Sequence, residues 1–207
     1  HWSQVLLLAG LWYSAEQEWY GLHQLLAYTL ASLLGARLIW GLIGSETARF
    51  RHFVPAPRQL QQYLTNKTPV AGHNPVSALM ILALFLLVAL QFASGLMTTD
   101  EVMTEGPLYS YVSSDTSGFL TWLHKTNFNL ILLLSAIHVL AVIIHAMKGD
   151  KLVGAMVSGY KKVSKVAFSS STKSELRFKS EWLALVLFTV CAAVVFGYLM
   201  WPIVQVL

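Results

Sequence analysis

Five apolar segments separated by polar stretches run along the chain, and their pattern predicts helices. They cover His1 to Tyr13, Leu22 to Ile43, Val76 to Met97, Leu120 to Met147 and Trp182 to Val204. A helix that crosses a bilayer needs about 20 apolar residues, which the last four segments supply. The first segment is shorter, so we expect that further residues precede it. The pattern predicts an all-α integral membrane protein.

The composition agrees with this prediction. Of the 207 residues, 56% are hydrophobic and only 12% are charged, whereas a soluble domain carries about 25% charged residues. The single cysteine, Cys191, excludes a disulfide within the chain, a CxxCH haem attachment and a cluster held by several cysteines. We interpret Cys191 as a small residue that faces lipid or a neighbouring helix.

The loops between the segments differ in charge. The loops after the second and fourth segments hold 12 of the 14 lysines and arginines, namely Arg49, Arg51, Arg58, Lys67, Lys148, Lys151, Lys161, Lys162, Lys165, Lys173, Arg177 and Lys179. The other two loops hold only acidic charges: Glu16, Glu18, Asp100, Glu101, Glu105 and Asp115. The positive-inside rule predicts that the N-terminus is cytoplasmic and that the C-terminus lies on the outer side of the membrane. The net charge of +4 is therefore a topology signal and does not indicate nucleic-acid binding.

Further predictions concern the loops and the domain organisation. The sequence after Pro57 predicts a short helix at the membrane interface. The sequence GHNP, with His73 and Asn74, is either a helix N-cap turn or a neighbour of a cofactor or quinone. We divide the chain into a four-helix bundle over residues 1–147, a basic cytoplasmic linker over 148–181 and a fifth transmembrane helix over 182–207.

Histidines inside the apolar segments are the candidate cofactor ligands. His124 and His138 share one face of the fourth segment, and they are separated by roughly 21 Å along a helix. With the predicted topology, His23 lies at the outer level of His124, and His1 lies at the inner level of His138. An imidazole in hydrocarbon is costly unless it is bound. Two pairs at two depths predict two haem b groups, each with two histidine ligands to iron.

Three other side chains lie near these two levels. His145 shares nearly the same face as His138 and is the rival inner ligand, although it would lie roughly 10 Å deeper. Arg37 is predicted at the inner level, where it either neutralises a haem propionate or extends to the interface. Lys125, next to His124, has the same two interpretations at the outer level.

Several short motifs surround these residues, over roughly residues 1 to 160. They are HW at His1, LH at His23, RLIWGLIGSETARF from Arg37, GHNP at His73, LH at His124, IH at His138 and HAMKGDKLVGAM after it. Their order and spacing resemble the bacterial cytochrome b561 family, which includes the cytochrome b subunits of membrane nickel–iron hydrogenases. The resemblance implies a bacterial inner-membrane protein in which His1, His23, His124 and His138 match the four haem-ligand positions. A fifth helix also occurs in the longer, partner-associated members.

The resemblance also implies the function. The family transfers electrons between the membrane quinone pool and a redox partner such as a hydrogenase, a dehydrogenase or a c-type cytochrome. Whether this chain itself reacts with quinone stays open. An alternative is a transporter or proton relay that uses the same histidines, but it predicts acidic residues inside the spans, and every Asp and Glu lies in a loop or at a rim. A purely structural membrane anchor does not explain the paired histidines.

Overall fold

A computed structural model describes residues 1–45, 48–66, 75–100, 104–149, 153–154 and 180–204. Its helices are α1 Trp2–Glu16, α2 Tyr20–Ile43, α3 Phe50–Phe53, α4 Pro57–Asn66, α5 Pro75–Gly95, α6 Ser114–Met147 and α7 Glu181–Val204. A 3₁₀ turn covers Tyr109–Tyr111. Within the described residues, the only β pairing is an isolated bridge between Thr99 and Glu105. The predicted all-α fold is confirmed.

Within the part of the chain that the structure describes, four helices are long and apolar enough to cross a membrane: α2, α5, α6 and the Trp182–Met200 part of α7. They correspond to four of the five predicted segments, and the chain is therefore a multi-pass membrane protein. The remaining segment forms α1, which has 15 residues. The predicted turn at His73 and Asn74 and most of the predicted linker lie outside the described residues.

The largest difference from the predicted helix boundaries is the start of α6, at Ser114 rather than Leu120. Ser113 is the N-cap, and its hydroxyl oxygen accepts a hydrogen bond from the backbone N–H of Thr116 at 3.3 Å. Asp115 lies in the first turn, where a negative charge interacts favourably with the helix dipole. Polar capping residues thus extend the helix beyond its apolar segment.

A short turn joins α1 and α2 into an antiparallel hairpin. The backbone N–H of Trp19 donates to the carbonyl of Ser14 at 2.9 Å, and that of Glu18 donates to the carbonyl of Ala15 at 3.1 Å. These two bonds form a Schellman motif, which usually places glycine in the left-handed position. Glu18 occupies that position here, with a φ of 57°.

The helices α5 and α6 pack against each other as a second hairpin. Their connection folds back on itself, because the backbone N–H of Gly106 donates to the carbonyl of Thr98 at 2.8 Å. It is also fixed to α6, since the hydroxyl of Ser117 donates to the carbonyl of Met97 at 2.7 Å. The connection therefore has a defined position over one end of the bundle.

The helix α2 links the two hairpins to α7, because it packs against α1, α5 and α7. Where α2 meets α7, a Cβ atom placed at Gly35 would lie 3.5 Å from the Cys191 sulfur. Tyr28 and Phe196 make an edge-to-face contact nearby in the same interface, with ring centroids 5.6 Å apart. Cys191 therefore faces a neighbouring helix. The helix predicted after Pro57 is present as α4 and packs against α5.

Candidate haem site

The four predicted histidines lie in two facing pairs. The ring centroids of His1 and His138 are 6.4 Å apart with an angle of 45° between the ring planes. Those of His23 and His124 are 6.5 Å apart with an angle of 71°. Bonds of about 2.0–2.1 Å from imidazole nitrogens to one metal ion place two opposed ring centroids roughly 6.4 Å apart. Both pairs therefore have the spacing at which one iron fits between the rings.

The two pairs lie at different levels of the bundle. His23 is in the first turn of α2 and His1 precedes the first residue of α1. Because α1 and α2 are antiparallel with a short turn between them, these two histidines are near opposite ends of the hairpin. On α6, His124 and His138 are separated by roughly 21 Å of helix. One long helix thus supplies a histidine to each pair.

His23 is fixed by a carbonyl and a serine of α1. Its Nδ1 lies 3.0 Å from the carbonyl oxygen of Leu11 and 3.3 Å from the hydroxyl oxygen of Ser14. Ser14 is fully buried, and its hydroxyl donates to the same Leu11 carbonyl at 3.1 Å. Because a carbonyl oxygen only accepts hydrogen bonds, Nδ1 of His23 carries the proton.

His124 has the same environment in the second hairpin. Its Nδ1 lies 2.9 Å from the carbonyl oxygen of Gln91 and 3.3 Å from the hydroxyl oxygen of Ser94, which is 1% exposed. Ser94 follows Gln91 by the three residues that also separate Ser14 from Leu11. In both histidines the proton on Nδ1 leaves the lone pair of Nε2 available to bind a metal.

A buried amide lies next to His124 and Gln91. Asn127, which is 1% exposed, follows His124 by three residues on α6. Its Nδ2 donates to the Leu87 carbonyl at 2.9 Å and to Oε1 of Gln91 at 2.7 Å. Gln91 therefore binds His124 through its backbone and Asn127 through its side chain.

A cavity of about 400 Å³ surrounds His23 and His124. Its walls come from α1, α2, α5, α6 and the α5–α6 connection, and include Trp12, Tyr28, Phe92, Phe128 and Ile131. Glu16, Gln24, Gln91 and Lys125 also line it. A mainly apolar cavity with a few polar groups is typical of a cofactor site.

Arg37, Lys125 and His145 have distinct environments. The guanidinium carbon of Arg37 lies 5.7 Å from the ring centroids of both Phe50 and Phe85, and its Nη1 donates to the carbonyl of Ala48 at 3.4 Å. Lys125 is exposed and lines the cavity at His124. His145 is in the last turn of α6, beyond the residue that faces His1.

The family model of prokaryotic cytochrome b561 matches residues 1–159 of the chain. The chain belongs to the prokaryotic cytochrome b561 family. Comparisons with curated proteins and with solved structures found no match. Family membership establishes a membrane b-type cytochrome that binds haem b and transfers electrons to or from a redox partner, as the sequence motifs suggested.

The residues of this cytochrome b561 fit haem b. Each histidine pair would offer one imidazole nitrogen from each ring to an iron between them. Nδ1 of His23 and of His124 already donates to a carbonyl, as is common for metal-ligating histidines. The apolar cavity walls suit the porphyrin ring. The buried hydroxyl of Tyr28, which has no hydrogen-bond partner among the described residues, also lines this cavity.

Sequence reasoning did not identify Ser14, Ser94 or Asn127. The signal for Asn127 was present, because an amide one helical turn after a histidine is unusual in so apolar a segment. The two serines have no such signal, since serine occurs throughout the apolar segments. Their role depends on which carbonyl each histidine approaches, and this is a property of the packing between two helices.

Proposed function

We propose that this cytochrome b561 binds two haem b groups, one between His1 and His138 and one between His23 and His124. The observation that supports the proposal is the spacing of the two pairs, 6.4 and 6.5 Å between ring centroids. Two histidine ligands leave no open position on the iron, which favours electron transfer over oxygen chemistry. Bound haem supplies the one-electron redox chemistry of the protein.

The remaining residues have supporting roles in this proposal. The carbonyls of Leu11 and Gln91 orient His23 and His124, and the cavity walls exclude water from the haem between them. Arg37 and Lys125 neutralise haem propionates at the inner and outer levels. They are the two of the 14 lysines and arginines that lie in the predicted membrane-spanning segments and not in the basic loops.

The proposed physiological reaction is electron transfer between the quinone pool of a bacterial inner membrane and a redox partner protein. The partner is a hydrogenase, a dehydrogenase or a c-type cytochrome. Charges in the loops favour a cytoplasmic N-terminus, so the pair His23–His124 lies on the periplasmic side and the pair His1–His138 on the cytoplasmic side. The two haems then connect the two faces of the membrane.

Haem counting in purified variants tests the ligand pairs. The wild-type protein in detergent is expected to hold two haems per chain, with reduced-minus-oxidised bands of b type. His23→Ala and His124→Ala should each lose one haem, and the double variant should lose no more than that, because both residues bind the same iron. His23→Ala combined with His138→Ala should lose both haems.

His145→Ala is the matched control, because His145 is on the same helix as both predicted α6 ligands. It is expected to keep two haems. If His145→Ala loses a haem and His138→Ala does not, the assignment of the inner ligand is wrong. If the wild-type protein holds no haem between His23 and His124, the two-haem proposal itself fails.

A further inference from the structure

The two hairpins place their outer histidines in equivalent environments. In each, Nδ1 of the histidine approaches a backbone carbonyl of the preceding long helix, with a buried serine three residues after that carbonyl. The two histidines face each other across one centre. Any difference between the surroundings of His23 and those of His124 must therefore come from residues other than this carbonyl and this serine.

Asn127 distinguishes the α5–α6 hairpin from the α1–α2 hairpin. The equivalent position in the first hairpin, three residues after His23, is Leu26, and its Cδ1 would lie 3.1 Å from a Cβ atom placed at Gly10. There the two helices meet through apolar packing. In the second hairpin, Asn127 donates hydrogen bonds to two groups that lie one turn apart on α5, the Leu87 carbonyl and the Gln91 side chain.

These bonds bear directly on His124. Gln91 supplies both the side-chain oxygen that Asn127 binds and the carbonyl oxygen that His124 binds at 2.9 Å. Asn127 is 1% exposed, so the two bonds of its Nδ2 form away from water, and its Oδ1 has no hydrogen-bond partner among the described residues. The network holds one turn of α5 at a fixed distance from the turn of α6 that carries His124.

We propose that Asn127 is a positioning residue that lowers the reduction potential of the haem between His23 and His124. By holding Gln91 in place, it keeps the hydrogen bond from Nδ1 of His124 to the Gln91 carbonyl short. A stronger bond at Nδ1 makes Nε2 a more basic ligand, which stabilises ferric over ferrous iron. The inference rests on the proposed histidine pairing.

The test is a redox titration of Asn127→Leu, which removes both bonds and keeps the number of side-chain heavy atoms. Loss of the network should lower the equilibrium ratio of ferric to ferrous iron at this haem at least threefold. This change corresponds to a rise in the reduction potential of roughly 28 mV for one electron. The potential of the haem between His1 and His138 is an internal reference and should not move. Asn129→Leu is the matched control, since Asn129 is an exposed amide on the same helix, and neither potential should change.

A second variant covers the case in which Asn127→Leu does not retain the haem. Gln91→Met keeps the carbonyl that binds His124 but removes the side-chain oxygen that binds Asn127, and it should raise the same potential by a smaller amount. The inference is overturned if Asn127→Leu holds two haems at wild-type potentials, or if Gln91→Met does so when Asn127→Leu loses haem. Both results leave the proposed function intact, because it depends on the two haems of the wild-type protein and their ligands and not on the reduction potential that Asn127 sets.

Discussion

Nδ1 of His23 lies 3.0 Å from the carbonyl oxygen of Leu11, so a residue of α1 determines which nitrogen of a histidine on α2 carries the proton. The same relationship joins His124 on α6 to Gln91 on α5. Contacts within each hairpin therefore leave Nε2 of both histidines available to bind a metal. Such preorganisation reduces the conformational freedom that haem binding would otherwise have to remove.

Substitutions at Ser14 test this packing. Ser14 is fully buried, and Ser14→Ala removes the hydrogen bond to the Leu11 carbonyl, so we expect the free energy of unfolding to fall by about 1 kcal/mol. Ser14→Leu forces a larger group into the same space and should cost about 1–3 kcal/mol. Thermal unfolding in detergent, followed by the loss of haem absorbance, measures both. Ser3→Ala, on the exposed side of α1, is the control and should have no effect; wild-type stability of Ser14→Leu would contradict the packing.

Gly95 should be required for haem binding at His124. A Cβ atom placed at Gly95 would lie 2.8 Å from Cε1 and 3.1 Å from Nδ1 of His124. Alanine would therefore displace the ring from the position in which its Nδ1 donates to the Gln91 carbonyl. We expect Gly95→Ala to lose the haem between these histidines and to keep the other, as measured by the haem-to-protein ratio.

Gly118→Ala is the control for this prediction. A Cβ atom at Gly118 meets nothing within 4 Å, and alanine is the better helix former by roughly 0.5–1 kcal/mol. Gly118→Ala should therefore keep two haems with unchanged or slightly higher stability. Retention of both haems by Gly95→Ala would show that the His124 ring tolerates displacement.

Much of the fold could be predicted from the sequence, because lipid simplifies the pattern. A membrane-spanning helix is a long apolar run, and α2, α5, α6 and α7 were each predicted to within a few residues at most ends. The start of α6 was predicted too late, because its first turn is polar and depends on capping by Ser113 rather than on hydropathy. Hydropathy locates the part of a helix inside the membrane but not its polar extension.

The histidine pairs could also be predicted, because depth along a helix follows from residue number alone. His1 with His138, and His23 with His124, are the pairs that the structure brings together. What could not be predicted is the contact of each ring with a neighbouring helix. The approach of His124 to Gln91 depends on the rotation and spacing of α5 against α6, and no residue spacing encodes these quantities.

The two cations of the spanning segments should affect different haems. The guanidinium carbon of Arg37 lies 5.7 Å from the ring centroids of Phe50 and Phe85. On the proposed two-haem arrangement, Arg37 and Lys125 would each stabilise the reduced state of the haem at their level, because reduction adds a negative charge. Arg37→Leu should lower the reduction potential of the haem at His138 by roughly 40 mV, which corresponds to a loss of about 1 kcal/mol of electrostatic stabilisation for one electron. Lys125→Leu should lower that of the haem at His124 and leave the other unchanged.

Redox titration resolves the two haems in each variant. Arg37→Lys keeps the charge but loses the planar contact with the two rings, so it should retain the potential while lowering thermal stability. If neither leucine variant shifts a potential, the two cations lie at the membrane interface and do not interact with haem. If both shift the same haem, the assignment of one cation to each level is wrong.

The predicted topology can be tested with single cysteines. In a Cys191→Ser background, Arg58→Cys and Glu105→Cys place one thiol in a basic and one in an acidic loop, both at exposed positions. The positive-inside rule predicts that a membrane-impermeant maleimide labels Glu105→Cys in intact right-side-out vesicles. Arg58→Cys should be labelled only after the vesicles are opened with detergent. The opposite labelling pattern would exchange the two faces, so that the haem between His23 and His124 would lie on the cytoplasmic side.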